Sequence, residues 1–164
     1  MGRCFNSREL GIAAEAFYHA ELLAYRHFGI NGKDWKELRY DVKTLAQLKD
    51  HEVQEGAFAH LCRYEYERGH FYRICLQDSR ILDAVLRAAS FIKLSPLLLY
   101  IAAHELVHVI RFSRGEAEFD APEDEKREEE ARVHAITQNV LQSRMTGDLK
   151  LVLDCFSHRY QICQ

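Results

Sequence analysis

The stretch His104-Glu105-Leu106-Val107-His108 constrains the fold of this chain more than any other segment. Residues four apart lie one above the other on the same face of a helix, so both imidazoles can reach one metal ion if the segment is helical. Glu105 follows the first histidine and can accept a proton from a nearby water without being a ligand itself. The pattern therefore predicts a helix with His104 and His108 as metal ligands and Glu105 as a catalytic base.

The residues around this HExxH motif are apolar, as a dry metal site requires. They are Ile101, Ala102, Leu106, Val107, Val109 and Ile110. The alternative interpretation of the same pattern is a buried core helix with two hydrogen-bonded histidines and no metal. Tyr100 lies one turn before His104, where a core tyrosine is the simpler expectation.

A catalytic zinc site needs a third protein ligand and keeps a fourth position for water. The best source is the segment 128–135, Glu-Glu-Glu-Ala-Arg-Val-His-Ala, at the start of the next predicted helix. Glu128 lies three residues before Ala131 and seven before Ala135, on roughly one face. Small residues on that face let two helices approach closely, so we expect Glu128 to be the third ligand. Two imidazoles and a carboxylate suit zinc best.

Three adjacent glutamates leave the register of this helix open. Glu129 or Glu130 are therefore alternative ligands, and Glu130 and His134 lie one turn apart, where both can point at the same cleft. A simpler interpretation is that the glutamates are solvated and are stabilised by the helix dipole in the first turn.

An HExxH helix followed by a glutamate from a second helix resembles the glutamate-liganded zincins, of which thermolysin is the best known. The form Glu-x-Glu-Ala-x-x-aromatic-Ala resembles two branches of that group, the small cytoplasmic metallopeptidases that cleave phage and stress-response repressors and the membrane-bound prenyl-protein endopeptidases. In the latter the first glutamate is the ligand, which corresponds to Glu128. The resemblance covers residues 70–142 and implies a zinc-dependent peptidase, with a strand before the HExxH helix lining the substrate cleft.

Two positions depart from the family pattern. Arg132 stands where the family has Asp or Asn to orient a ligand histidine, and His134 stands where it has an aromatic residue. Residues that orient a ligand tune its basicity and position. The alternative function is therefore a metal-binding regulatory or interaction module that keeps the zincin scaffold without significant peptidase activity.

Hydrophobic periodicity predicts a mostly helical α+β domain with a small β-hairpin beside the HExxH helix. Two helices come first, one from Asn6 to Gly29 and one opened by Asp34 and Glu37 with an apolar stripe at Leu38, Val42, Leu45 and Leu48. A hairpin follows over 57–67 and 70–76. The later helices cover 79–89, a segment beginning at Ser95-Pro96, 123–145 and 149–156. We expect an edge strand within 70–77 to bind a peptide substrate as an added strand.

Composition limits the kinds of binding partner and the cellular location that we expect for this protein. At 164 residues the chain is one domain, 1–164. A net charge of −3 without a basic run argues against nucleic acid. The N-terminus lacks the apolar core of a signal peptide, and the apolar run 97–103 is too short to span a bilayer. Five scattered cysteines are typical of reduced thiols. We therefore expect a soluble, cytoplasmic protein that acts on a protein or peptide, with no membrane association.

Overall fold

Five α-helices and a three-stranded sheet make up the computed structural model, which describes residues 3–31, 38–88 and 91–162, with side chains described as far as 157. The helices are α1 Ser7–Phe28, α2 Asp78–Arg87, α3 Leu94–Ser113, α4 Glu123–Leu141 and α5 Gly147–Ile162. The strands are β1 Tyr40–Lys43, β2 Ala59–Tyr66 and β3 Gly69–Leu76. Short 3₁₀ turns lie at Leu45–Gln47, Asp50–Glu52 and Gln142–Arg144. The predicted α+β class, mostly helical with a small sheet, is confirmed.

The first helix begins and ends as its sequence predicts. The Asn6 side chain accepts a hydrogen bond from the Glu9 amide at 2.9 Å, and the Glu9 carboxylate accepts one from the Asn6 amide at 2.9 Å. This reciprocal capping box satisfies two amides that lack partners within the helix. The helix ends at Gly29, whose φ of 65° is accessible to glycine without strain.

The hairpin is also confirmed, but its place in the sheet differs from the prediction. Strands β2 and β3 pair antiparallel, with Tyr66 opposite Gly69, and β1 pairs parallel to the other side of β3. The strand order β1-β3-β2 puts β3 in the centre. The edge strand expected within 70–77 is therefore wrong: β2 and β1 are the edges.

The second predicted helix is wrong where the structure describes it. Its proposed start at Asp34 and Glu37 lies outside the described residues, and its stripe falls on β1 and on the turn at Leu45–Gln47. A stripe this short fits a strand as well as a helix, and β3 offers this segment a parallel partner. The Leu45 amide donates to a carboxylate oxygen of Asp78 at 3.0 Å, which fixes the turn after the strand.

Helix α3 is the centre of the molecule and contacts α1, α2, α4, α5 and β2. It begins at Leu94, so Lys93 and not Ser95 is the N-cap, and Pro96 lies in the first turn, where its missing amide costs no hydrogen bond. Among the described helices, α3 alone is long and apolar enough to span a membrane, and 72% of that stretch is buried within the protein. Such burial is typical of the core helix of a soluble protein.

Candidate metal centre

Two histidines of α3 and one glutamate of α4 converge in the structure. His104 and His108 are each only 6% exposed, and their rings lie edge to face with centroids 4.9 Å apart. The Nε2 atom of His104 lies 3.1 Å from Oε2 of Glu130, and the Nε2 atom of His108 lies 3.1 Å from Oε1 of the same carboxylate. The apolar residues flanking the motif are buried at 0–3% exposure, and both imidazoles reach across to α4.

This arrangement can hold a metal ion. One ligand atom from each of the three residues lies within 4.8 Å of the others. Ligands of a tetrahedral ion at 2.0–2.1 Å are about 3.3 Å apart, so donor atoms that lie within 4.8 Å of one another must move closer by up to about 1.5 Å to bind one ion. Imidazole nitrogens with a carboxylate oxygen form a donor set that suits first-row divalent ions.

Glu130, and not Glu128, is the glutamate that the structure brings to the histidines. Helix α4 packs against the rest of the protein through Val133, Thr137 and Val140, whereas Ala135 is exposed. The alanine face therefore does not make the close helix contact that the sequence predicts. Glu130 lies nearer to the packed face than Glu128 does, and it is Glu130 that reaches α3. The exposed Glu128 lies instead on the wall of the neighbouring cleft.

Glu129 pairs with two arginines and not with the histidines. Its carboxylate accepts hydrogen bonds from Arg111 of α3, from Nε at 2.6 Å and from Nη2 at 3.0 Å, and one from Arg132 at 2.9 Å. Burial raises the pKa of Glu129, but the two guanidinium groups outweigh it and hold the pKa below its ordinary value. Glu129 therefore joins α4 to α3 by a buried ion pair. Arg132, the departure from the family pattern, belongs to this ion pair.

The charge of Glu130 is set by the same histidines. Burial raises its pKa, but hydrogen bonds and charge interactions with His104 and His108 outweigh burial and hold the pKa well below its usual range. Glu130 is thus a carboxylate, with 43% of its side chain exposed toward the cleft.

Glu105 lies beside this centre and shares its cleft. Burial raises the pKa of Glu105 to about 7, while His104 lowers it and Glu130 raises it. A carboxyl group with such a pKa can accept and return a proton near neutral pH. The structure keeps Glu105 out of the ligand group, as the sequence predicts for a base.

A cleft runs past the centre between the sheet and α4. Two cavities, of about 1000 and 850 Å³, both have Glu105, Glu128 and Glu130 in their walls and so meet at the metal-ligand group. Residues 57–61, from the start of β2 and the turn before it, also line these two cavities. Because β2 pairs only with β3 in the described sheet, its second edge is open to an added strand.

Tyr100 and His134 form a polar network behind His104. The Tyr100 hydroxyl lies 3.3 Å from Nδ1 of His104 and 2.8 Å from Nδ1 of His134. Nε2 of His134 lies 2.8 Å from the Ser157 hydroxyl of α5, which also accepts a hydrogen bond from Gln138. Burial, with a smaller effect of His104, lowers the pKa of His134 to about 4. Sequence reasoning missed Gln138 and Ser157, since only the fold brings α5 to α4.

His108 differs from His104 in its surroundings. Its Nδ1 atom is buried and has no hydrogen-bond partner among the described residues. Ligand histidines usually donate their second N–H to a protein group, and only His104 has such a group here. The ring of His108 is instead held by stacking on Phe112, with centroids 5.7 Å apart.

No family model, curated protein or solved structure matches this chain.

Proposed function

We propose that this protein is a zinc-dependent peptidase. The observation that carries the proposal is the convergence of His104, His108 and Glu130 at an open cleft, with Glu105 beside them. Structural zinc sites are closed by four protein ligands, whereas catalytic sites have three and leave a position open. Three ligands at a cleft fit the second kind.

Zinc is the metal that this donor set favours. Two imidazoles and a carboxylate within reach of one ion suit it, and no cysteine belongs to the described ligand group. When bound, zinc supplies Lewis acidity toward a carbonyl oxygen and lowers the pKa of water.

The side chains of the protein would carry out proton transfer and substrate binding. Glu105 would take a proton from the attacking water and pass it to the leaving amine, a task that suits its raised pKa. The walls of the cleft would exclude bulk water and hold the substrate near the ligand group. The substrate would be a protein or peptide that pairs in extended form with the open edge of β2.

We also propose a soluble, cytoplasmic setting. The apolar helix α3 is mostly buried in the core, and the four described cysteines, Cys4, Cys62, Cys75 and Cys155, are free thiols. Free thiols are typical of reducing compartments.

Replacement of Glu105 by Gln tests the mechanism directly. Glutamine keeps the shape of the side chain but cannot accept the proton, so Glu105→Gln should retain one equivalent of zinc and lose at least 100-fold in peptide hydrolysis. Zinc is measured by elemental analysis and hydrolysis with a quenched fluorescent peptide library. Glu128→Gln, in the same cleft but outside the ligand group, is the matched control and should hydrolyse at the wild-type rate. Equal rates for Glu105→Gln and wild type would refute the mechanism.

One observation favours the alternative of a metal-binding module without peptidase activity. Among the residues that the structure describes, His108 has no hydrogen-bond partner at Nδ1, and a ligand without such a partner weakens a catalytic site more than a merely binding one. The module would bind zinc through the same three residues and show no hydrolysis that depends on Glu105. The experiment above therefore separates the two functions.

A further inference from the structure

The hydrogen bonds around Tyr100 form an unbroken chain from the ligand group to α5. The chain runs from Glu130 through His104, Tyr100 and His134 to Ser157. Tyr100 is 3% and His134 6% exposed. Tyr100 borders one of the two cavities beside His104, whereas His134 lines neither of them and can act on a substrate only through Tyr100 and His104. Tyr100 is further held by stacking on Phe156, with ring centroids 4.7 Å apart.

We propose that Tyr100 and His134 are positioning residues that orient His104 for the metal through a hydrogen-bonded relay. The inference rests on the metal-binding part of the proposed function and not on peptide hydrolysis. His134 lies one turn after Glu130 on α4, so the helix that supplies the third ligand also supplies the group that orients the first.

Without metal, the donors in this relay can all point in one direction. The Nε2–H group of His104 donates to the Glu130 carboxylate, which is an acceptor only. A neutral His104 then accepts at Nδ1 from the Tyr100 hydroxyl, and the Tyr100 oxygen accepts from Nδ1–H of His134. Nε2 of His134 is left as an acceptor for the Ser157 hydroxyl at 2.8 Å and for Gln138 at 3.3 Å.

Metal binding reverses this direction. A histidine that binds metal through Nε2 must carry its proton on Nδ1, so His104 becomes the donor to Tyr100. The Tyr100 hydroxyl then donates to Nδ1 of His134, whose proton moves to Nε2 and is donated to Ser157. Each ring keeps one proton throughout, exchanged through the relay or with water, so the tautomer changes and the charge does not.

The tautomer of His134 gives a test that a purely structural role would not satisfy. In ¹⁵N-labelled wild-type protein, two-bond ¹H–¹⁵N NMR should report Nδ1–H on His134 after chelator treatment and Nε2–H after zinc is added. An unchanged His134 tautomer on zinc binding would overturn the proposal. This measurement needs neither a variant nor a substrate.

Variants test the same relay through zinc affinity, measured by competition with a fluorescent chelator. Tyr100→Phe keeps the ring and removes the hydroxyl, and should weaken zinc binding by about 10- to 100-fold. His134→Asn can still accept from Tyr100 and should bind zinc more tightly than His134→Phe, which cannot. Tyr25→Phe, which removes a buried hydroxyl bonded to Glu21 on α1, is the control and should bind like wild type.

The outcomes separate this inference from the proposed function. If Tyr100→Phe and His134→Phe bind zinc within twofold of wild type, the relay is refuted. If the variants weaken zinc binding as expected and the wild type still cleaves no peptide, the relay holds and the peptidase proposal fails. If the wild type binds no zinc, both are refuted.

Discussion

Glu130 is the residue on which the metal centre depends for its third donor. Replacing it with Ala removes both oxygens that face the histidines, so Glu130→Ala should lose most of its zinc. Glu128→Ala is the matched control, two residues away on an exposed face, and should keep close to one equivalent. The zinc content of the purified proteins checks this. A larger loss in Glu128→Ala than in Glu130→Ala would restore the register that the sequence favours.

The sequence alone predicts the part of the metal centre that lies on one helix. The spacing of His104 and His108 depends only on the helical repeat, and the structure places both as the repeat requires. The third ligand comes from another helix, and its register depends on which side of α4 is buried. Alanines at 131 and 135 indicate one side, but Val133, Thr137 and Leu141 are the residues of α4 at 0% exposure. Burying the larger side chains on the Val133 side gains more free energy than the close helix approach that the two alanines would allow.

At the scale of elements, the Arg111–Glu129 pair adds a buried ionic contact to the apolar packing of α4 against α3. Both side chains are nearly buried, at 10% and 11% exposure, and removing Arg111 leaves the buried Glu129 carboxylate with only the half-exposed Arg132 as an ionic partner. Arg111→Met should therefore lower the free energy of unfolding by about 3 kcal/mol, measured by urea denaturation. Zinc affinity should fall as well, because Glu130 is carried by the same turn of α4.

An exposed ion pair gives the control for this prediction. Arg63 and Asp120 are 2.6 Å apart, but 76% of the Asp120 side chain is exposed to water. Asp120→Asn should change the free energy of unfolding by less than about 1 kcal/mol. If Arg111→Met is no more destabilising than Asp120→Asn, the pair does not fasten the two helices.

The elements also differ in how far their own sequences define them. The capping box and the terminal glycine of α1 lie within or next to the helix itself. The hairpin likewise contains its own signals, which are alternating apolar and polar residues and Gly69 at the turn. Both are predictable because the signals are local. Strand β1 has four residues and becomes a strand by pairing with β3, about thirty residues later in the chain. The local sequence of β1 contains no signal of a partner so far along the chain. For this reason the spacing of its apolar residues favoured a helix.

For the molecule as a whole, the candidate centre joins three helices. Helix α3 supplies the histidines, α4 supplies Glu130 and His134, and α5 supplies Ser157 at the end of the relay. A ligand that binds only the folded state stabilises it in proportion to the logarithm of its concentration relative to the dissociation constant. Zinc should therefore raise the thermal midpoint of the whole protein, and chelator should lower it.

For the stability of the whole molecule in acid, we expect a contribution from Glu52, a buried carboxylate outside the metal-ligand group. Glu52 is 0% exposed and accepts hydrogen bonds from the Tyr64 hydroxyl, from Arg73 at 3.0 Å and from the Lys49 amide at 2.9 Å. Burial raises the pKa of Glu52, but these donors outweigh it and lower the pKa to about 2. The carboxylate thus connects the Asp50–Glu52 turn to β2 and β3.

The sign of the pH dependence follows from this lowered pKa. A group with a folded pKa of about 2 and an ordinary value of 4.5 favours folding fully above pH 4.5 and loses that contribution as the pH falls toward 2. Glu52→Gln should therefore destabilise the protein at pH 7, by about 1–3 kcal/mol for the disrupted buried hydrogen bonds, and should reduce the decline in stability between pH 4.5 and 2. Urea denaturation of chelator-treated protein at pH 7, 4 and 3 measures both effects without interference from the metal. Glu55→Gln, the same change at a nearby exposed residue, should follow the wild-type curve, and an equally steep acid decline in Glu52→Gln would show that other carboxylates govern it.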